Sequence, residues 1–360
     1  MCTGVTRRPM VPHPTALGSQ RGAMCETRHR PLSIRVNLDH DPGESRPRCR
    51  PTPPYVPPPP PRGGALRPRP FGRRLIAAAL TALTTASALS ACRDTDPAGA
   101  LGRVRKAGKI VIATDALYPP NEFKQDGRIV GFDIDLGTAI ARKLGVQPQF
   151  QDMEFESILP ALTEGKYDLS LSSFTDTRER ESRLDFVTYL SAGTMLLVRK
   201  GNPKRLRPDG PSLCGRRIAV ERGTTQEEEL TPASAAEPDA GSRLGACKSA
   251  RRPAPVRLSF DDQSAANAAL AKGRADGVLA DTPSVIYGAK QSAGRFETSG
   301  QPYGDALYGI AIPKHHDDLR DAVFKAVKDL IDGGVYRQLT DKWGISAGAV
   351  REPKINAAAS

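Results

Sequence analysis

The stretch DLSLSSFTDTRERES, residues 168–182, decides how this chain is read. Asp168 to Ser172 has the character of a short strand. Beyond it, Thr175 or Thr177 stands as an N-cap with Glu179 and Glu181 in the following turn, so a helix begins there. A strand that runs into a helix N-terminus leaves unpaired backbone N–H groups and a positive dipole end beyond the strand. Ser172, Ser173 and Thr175 add hydroxyls beside that end. Arg180 adds a guanidinium that can grip a carboxylate with two parallel N–H bonds. The combination is suited to a small carboxylate ligand.

Working outward, the flanking segments alternate between two periods. KIVIATD, 109–115, is an apolar run of strand length, and DIDLGTAIARKLG, 133–145, puts Ile134, Leu136, Ile140 and Leu144 on one helical face. PQFQ, 148–151, reads as a strand again, and ESILPALTEGKY, 156–167, repeats Ile158, Leu159 and Leu162 at helical spacing. Strand, helix, strand, helix, strand is the pattern of a parallel sheet covered on both faces. In such sheets ligands bind beyond the carboxyl ends of the strands, which is where 168–182 falls.

The 360 residues carry a formal charge of +12, which invites a nucleic-acid reading. Residues 1–74 hold 14 Arg, no Lys and 4 acidic residues, so the remainder is nearly neutral at +2 and the invitation lapses. The same 74 residues contain 16 of the 32 prolines and no apolar periodicity. They read as a disordered leader or as a start assigned too far upstream. Arg73 and Arg74 then precede 17 uncharged residues, Leu75 to Ala91, ending in small residues before Cys92. That order is an export signal, and the run is short of the roughly 20 apolar residues a membrane span needs. Its LSAC ending resembles the lipobox of bacterial lipoproteins, which implies cleavage before Cys92 and lipidation of its sulfur. Residues 93–100 read as a polar tether. With Cys2, Cys25 and Cys49 in the leader and Cys92 as the anchor, Cys214 and Cys247 remain as a pair for one disulfide in an oxidising compartment. No metal-ligand spacing is present, and neither a cofactor nor a metal is expected.

Across residues 104–348 the chain resembles the solute-binding proteins of the polar amino acid ABC-transporter family, with the type II periplasmic-binding-protein fold. The segments that carry the resemblance are YPPNEFKQDGRIVGFDIDLGTAIARKLG, ILPALTEGKYDLSLSSFTDTRERESRLDFVTYL, GRRIAVERGTTQEEEL, LAKGRADGVLADTPSVIYG and LYGIAIPK. The resemblance implies that Arg180 pairs with the ligand α-carboxylate, assisted by Thr175 and, from the second lobe, Thr225. It implies that Asp281 pairs with the α-ammonium group, with Ser173 and its neighbour Ser172 close by. Tyr118 and Phe155 are implied as aromatics at the ligand, and Asp115 as a residue near its side chain. Asn121 stands where many members carry an aromatic, so a polar amide is expected near the ligand mouth, and a glutamine-like or glutamate-like ligand is favoured.

The implied fold is α/β, two lobes joined by two crossing strands. Lobe one is expected over 101–194 and 305–348, lobe two over 195–304, and a tail over 349–360, with 231–246 a surface loop pinned by the disulfide. The implied partners are an amino acid and the membrane subunits of an ABC permease, with the protein a monomer tethered by lipid to the outer face of the cell membrane. No catalytic residue is expected. A dehydratase of the same fold acting on cyclic acids is the rival, and it lacks support, since His315 and His316 are the only histidines after the leader and no nucleophile and base pair stands out. Because lipid attachment runs through Cys92, Cys92→Ser should release the protein into the medium or leave the precursor uncut. A variant that stays membrane-bound at mature mass contradicts the lipid anchor.

Overall fold

A computed structural model of the protein describes residues 99–231 and 243–358. The expected leader, export signal, Cys92 and tether up to residue 98 lie outside the described residues. Helix α1 (Gly99–Ala107) already includes the last two residues assigned to the tether. Its first turn is capped from elsewhere in the fold, by Asp318, whose carboxylate accepts from Ala100 N and Leu101 N at 3.2 and 2.9 Å.

The chain continues through β1 (Lys109–Thr114), β2 (Leu117–Tyr118), β3 (Glu122–Gln125), β4 (Arg128–Val130), α2 (Phe132–Leu144), β5 (Gln147–Asp152), α3 (Phe155–Thr163), β6 (Leu169–Ser170) and α4 (Arg178–Glu181). The long strand β7 (Leu184–Arg199) leads into β8 (Arg217–Glu221), α5 (Thr225–Glu229), α6 (Arg243–Ser249), β9 (Val256–Phe260), α7 (Gln263–Ala271), β10 (Gly277–Asp281) and α8 (Thr282–Gln291). A second long strand, β11 (Phe296–Pro313), returns to α9 (Asp317–Asp332) and α10 (Val335–Trp343). Strands β2, β3 and β4 form a small sheet of their own that the sequence reading did not single out.

The main sheet has eight strands in the order β5-β1-β6-β11-β7-β10-β8-β9. At one end β5, β1 and β6 are parallel, and at the other β10, β8 and β9 are parallel. Between them β7 and β11 pair antiparallel along nearly their whole length, from Phe296 opposite Arg199 to Pro313 opposite Leu184. These two strands carry the chain from one lobe to the other. In β7 almost every residue is buried on both faces, so LDFVTYLSAGTMLLVR has no polar alternation. Strand β11 slips register at three places, which bends it between the lobes. At Gly309 a Cβ would come within 2.8 Å of Phe186, so only glycine fits the tight crossing there.

Each lobe has its own core. In lobe one, Ile110, Ile112, Leu136, Ile140, Val187, Val323 and Val327 pack together, and a neighbouring cluster joins Phe155, Ile158, Leu162, Phe174 and Phe186. In lobe two, Leu197, Ala266, Leu270 and Val278 cover one face of the sheet, while Leu196, Leu213, Ile218 and Leu279 cover the other. Each fully buried Leu, Ile or Phe contributes about 1.5–3 kcal/mol from area removed from water. Among the described residues no helix is long and apolar enough to cross a membrane.

Cys214 and Cys247 are joined as expected, 33 residues apart. Closing a loop of that length contributes about 3–4 kcal/mol in the chain-entropy model. The surface loop assigned to 231–246 needs correction: residues 232–242 lie outside the described residues, and Arg243 to Ala246 begin helix α6, which the bridge fastens to the turn at 210–213. The segment 349–358 is not a free tail. It runs along the first half of β7, bridging Leu190 to Ala349 and Val187 to Ile355, on the edge that β11 leaves open.

Candidate functional site

The carboxyl ends of the strands point into the groove between the lobes. Thr177 caps α4, its hydroxyl accepting from Arg180 N at 3.3 Å, as one of the two N-caps read from the sequence requires. This single turn places Arg180 in the groove, 3% exposed, and leaves Arg178 on the outer surface. Arg180 Nη1 donates to Thr175 O at 3.0 Å, and Nη2 donates to Gly223 O of the opposite lobe at 2.9 Å. The guanidinium lies over the Phe174 ring, 5.3 Å from its centroid, and Phe174 stacks on Phe155 at 4.2 Å. Burial pulls the Arg180 guanidinium below its ordinary pKa, though it stays charged. Gly223 has φ +77°, and a Cβ there would meet Glu156 of lobe one at 3.0 Å. Glycine is what lets the two lobes approach at this carbonyl.

A second connection crosses the groove. Tyr118 Oη donates to Asp281 Oδ2 at 2.9 Å, and Gln226 Nε2 donates to both Asp281 Oδ1 and Thr194 Oγ1 at 2.8 Å. Asp281 is buried and its carboxyl is held above the usual range by desolvation. Beside it a cavity of about 360 Å³ is lined by Thr175, Thr194, Thr225, Gln226 and Asp281, a size that accepts a small molecule. Thr225 therefore faces the groove from the first turn of α5. A larger cavity of about 480 Å³ lies on the hinge side, among Tyr287, Trp343 and Ile345, and contains none of the expected clamp residues.

The third feature joins Asp115, expected near the ligand side chain, to Glu221, which was not read from the sequence. Asp115, just past β1, and Glu221, the last residue of β8, meet as two carboxyls from opposite lobes, each at 2% exposure. Asp115 Oδ2 and Glu221 Oε2 have no donor among the ordinary hydrogen-bonding groups around them. Their mutual contact is a hydrogen bond only when one carboxyl keeps its proton, because two ionised carboxylates repel. Burial first, with the neighbouring acids, pushes Asp115 up to about 6 and Glu221 well above its ordinary value. No local pattern marks it: Glu221 ends an ordinary buried strand in lobe two, as Asp115 follows β1 in lobe one.

Ser172, Ser173 and Asn121 are placed differently from expectation. Ser172 Oγ accepts from Asp115 N at 2.8 Å, and so positions Asp115. Asn121 is fully buried, with its Nδ2 donating to Ser173 Oγ at 2.7 Å, so its amide belongs to the interior of lobe one and not to the groove mouth. Ser173, with φ +52°, donates its N–H to Asp133 Oδ2 at 3.0 Å, and Tyr189 Oη donates to the same oxygen at 2.7 Å. Glu122 completes this network. Burial raises both Glu122 and Asp133, the latter to about 6.

The fold and this groove define a two-lobed ligand-binding protein, and the chain belongs to the bacterial extracellular solute-binding proteins, family 3, whose model matches residues 110–346. It is similar to the arginine-binding protein ArgT of Corynebacterium glutamicum, 33% identical over 250 residues, covering 69% of this chain and 78% of that protein. A solved ancestral arginine-binding protein bound to arginine is 32% identical, with a TM-score of 0.58, covering 66% of this chain and 98% of the other. The ancestral amino acid-binding protein AncCDT-1, a precursor of cyclohexadienyl dehydratase, matches at 31% identity and TM-score 0.58, covering 68% and 98%. Other matched relatives are named for cystine, glutamine and histidine. These relatives are named as amino-acid-binding proteins, two of them of ABC transporters.

The raised carboxyls set the pH dependence of the unliganded protein. Asp115, Asp133 and Asp176 stand at about 6, 6 and 7 against an ordinary 3.8, so between pH 4 and 7 the folded chain binds more protons than the unfolded one. Stability from these groups is present at low pH and is lost as pH rises through their folded values. The melting temperature of the ligand-free protein should therefore fall from pH 5 to pH 7.5. A rise over that interval contradicts the buried acid pairs.

Proposed function

We propose that the protein is the extracytoplasmic substrate-binding component of an ABC importer, held at the outer face of the membrane through Cys92, and that its ligand is an amino acid with a cationic side chain. The observation that carries the ligand class is the Asp115 and Glu221 pair. The groove holds three buried carboxyls, Asp115, Glu221 and Asp281, and one buried guanidinium, Arg180. An α-amino acid neutralises two of these charges by itself, its carboxylate on Arg180 and its ammonium on Asp281. The remaining two carboxyls share a proton unless a cation sits between them, and a guanidinium fork or an ammonium meets that need. A glutamate side chain adds a further carboxylate to the same place, and glutamine leaves the pair uncompensated. Relatives named for arginine agree with this reading, and relatives named for cystine and glutamine do not.

In the proposed cycle the ligand docks on Arg180 and Thr175 of lobe one, with Phe155 and Phe174 behind the guanidinium and Tyr118 against the ligand. Thr225, Asp281 and Glu221 of lobe two then favour the closed arrangement by their differential interaction with the bound ligand. The permease takes up the closed form. No covalent step is asked of the protein.

Calorimetry on the full chain with L-arginine, L-lysine, L-glutamine and L-glutamate tests the assignment. The cationic pair should bind most tightly, with affinity falling as pH drops through about 6, where Asp115 takes up a proton beside Glu221. Arg180→Ala removes a desolvated bidentate partner and should cost about 2–5 kcal/mol, roughly 30-fold to several thousand-fold in affinity. Arg180→Lys should recover part of it, because an ammonium lacks the planar fork. Arg178→Ala should change little. Tightest binding of L-glutamate, or equal effects at 178 and 180, overturns the reading.

A further inference from the structure

Helix α4 is one turn of four residues, too short to hold itself against the sheet. Within the turn it has the Thr177 cap, and on its surface an exposed Arg183 and Glu179 pair worth little. Asp176 N donates to Leu307 O of β11 at 2.8 Å, and two further part-buried attachments come from far along the chain. Ala357 N donates to Asp176 Oδ2 at 2.8 Å, and Ala358 N donates to Glu181 Oε1 at 2.9 Å. Asp176 and Glu181 bracket Arg180 in sequence, one before the helix and one at its last residue.

The donors are aimed by Asn356. Its backbone has φ +50°, the left-handed region that asparagine tolerates better than most residues. Its side chain is engaged at both ends, Oδ1 accepting from Phe186 N at 2.8 Å and Nδ2 donating to Asp185 Oδ1 at 2.9 Å. Asp185 is itself gripped by Lys314 and Arg320, so the anchor point is fixed to the base of α9. One residue pair further back, Thr188 N donates to Lys354 O, and Lys354 N donates to Thr188 Oγ1, both at 2.8 Å. The segment is thus tied to β7 at 354 and 356 and reaches over to α4 at 357 and 358.

Resting on the reading that Arg180 takes the ligand carboxylate, we infer that residues 354–358 are a strap that positions Arg180 for the ligand, acting through Asp176 and Glu181 without touching the ligand. A guanidinium that must meet a carboxylate with two parallel bonds is sensitive to sub-ångström placement, and the strap supplies that placement where a four-residue helix cannot. Asn356 is therefore a positioning residue.

Calorimetry with L-arginine on the full chain, as wild type, Asn356→Ala, Arg180→Lys and the double variant, reads this directly. Asn356→Ala should weaken binding about 5- to 20-fold beside Arg180 and by less than about twofold in the Arg180→Lys background, because coupled sites are non-additive. Ala358→Pro, which removes the N–H aimed at Glu181, should weaken binding in the same direction if Asn356→Ala proves poorly folded by its melting curve. Amide exchange at Ala357 and Ala358 should slow when L-arginine is bound, since coupling between sites is reciprocal. Losses equal in the two backgrounds, or affinities within twofold of wild type for both strap variants, overturn the strap while leaving the site assignment intact. An unchanged affinity in Arg180→Lys and Arg180→Ala instead removes the reading on which the strap rests.

Discussion

The antiparallel ladder of β7 and β11 is the constraint on which the rest of the molecule depends. Its hydrogen bonds run from Pro313 opposite Leu184 in lobe one to Phe296 opposite Arg199 in lobe two. Because β11 borders β6 of lobe one and β7 borders β10 of lobe two, neither lobe can complete its sheet without the crossing. The register slips in β11 bend the ladder between the lobes, and that bend turns the carboxyl ends of β1 and β8 toward each other. Asp115 and Glu221 meet for this reason, and so do Tyr118 and Asp281, and Arg180 and Gly223.

Charge decides what such a groove is suited to hold. A buried carboxyl pair is costly unless a proton or a cation lies between the two groups. The protein meets this cost with a shared proton, and the raised Asp115 and Glu221 are its signature. Arg180 is treated differently: its charge is kept, and its donors are held by two backbone carbonyls and the Phe174 face. One end of the groove is therefore a fixed cation and the other a pair of acids that a cation can replace a proton on. That polarity supports the proposed amino acid ligand with a positive side chain.

Much of this was legible from residues alone. The helical face of Ile134, Leu136, Ile140 and Leu144 was seen as α2, and Thr177 was one of the two caps read before α4. Arg180 and Arg178 were separable because residues two apart on a helix cannot share a face. Three things were not legible. Strands β2, β3 and β4 are two to four residues long, below the length at which alternation is a signal. Glu221 sits in RIAVE, which reads as the end of an ordinary buried strand, and its importance comes from a partner more than a hundred residues away. The interior network of Asn121, Ser173, Glu122, Asp133 and Tyr189 draws polar groups from β3, α2, β7 and two connecting turns, so no local pattern announces it.

The same polar network explains why serines that look ligand-facing in the sequence serve instead as supports. Ser172 holds the backbone of Asp115, and Ser173 turns the chain out of β6 toward Thr175 with a left-handed backbone. Positions that carry charge to the ligand are thus separated from positions that hold them still. On the proposed reading, the acid pair recognises a positive side chain. L-citrulline, the neutral isostere of L-arginine, tests it most directly by competition calorimetry at pH 7.5. Citrulline should bind at least about 30-fold more weakly than arginine, roughly 2 kcal/mol, and Glu221→Gln should narrow this gap. Equal affinity for the two ligands in the wild-type protein would contradict it.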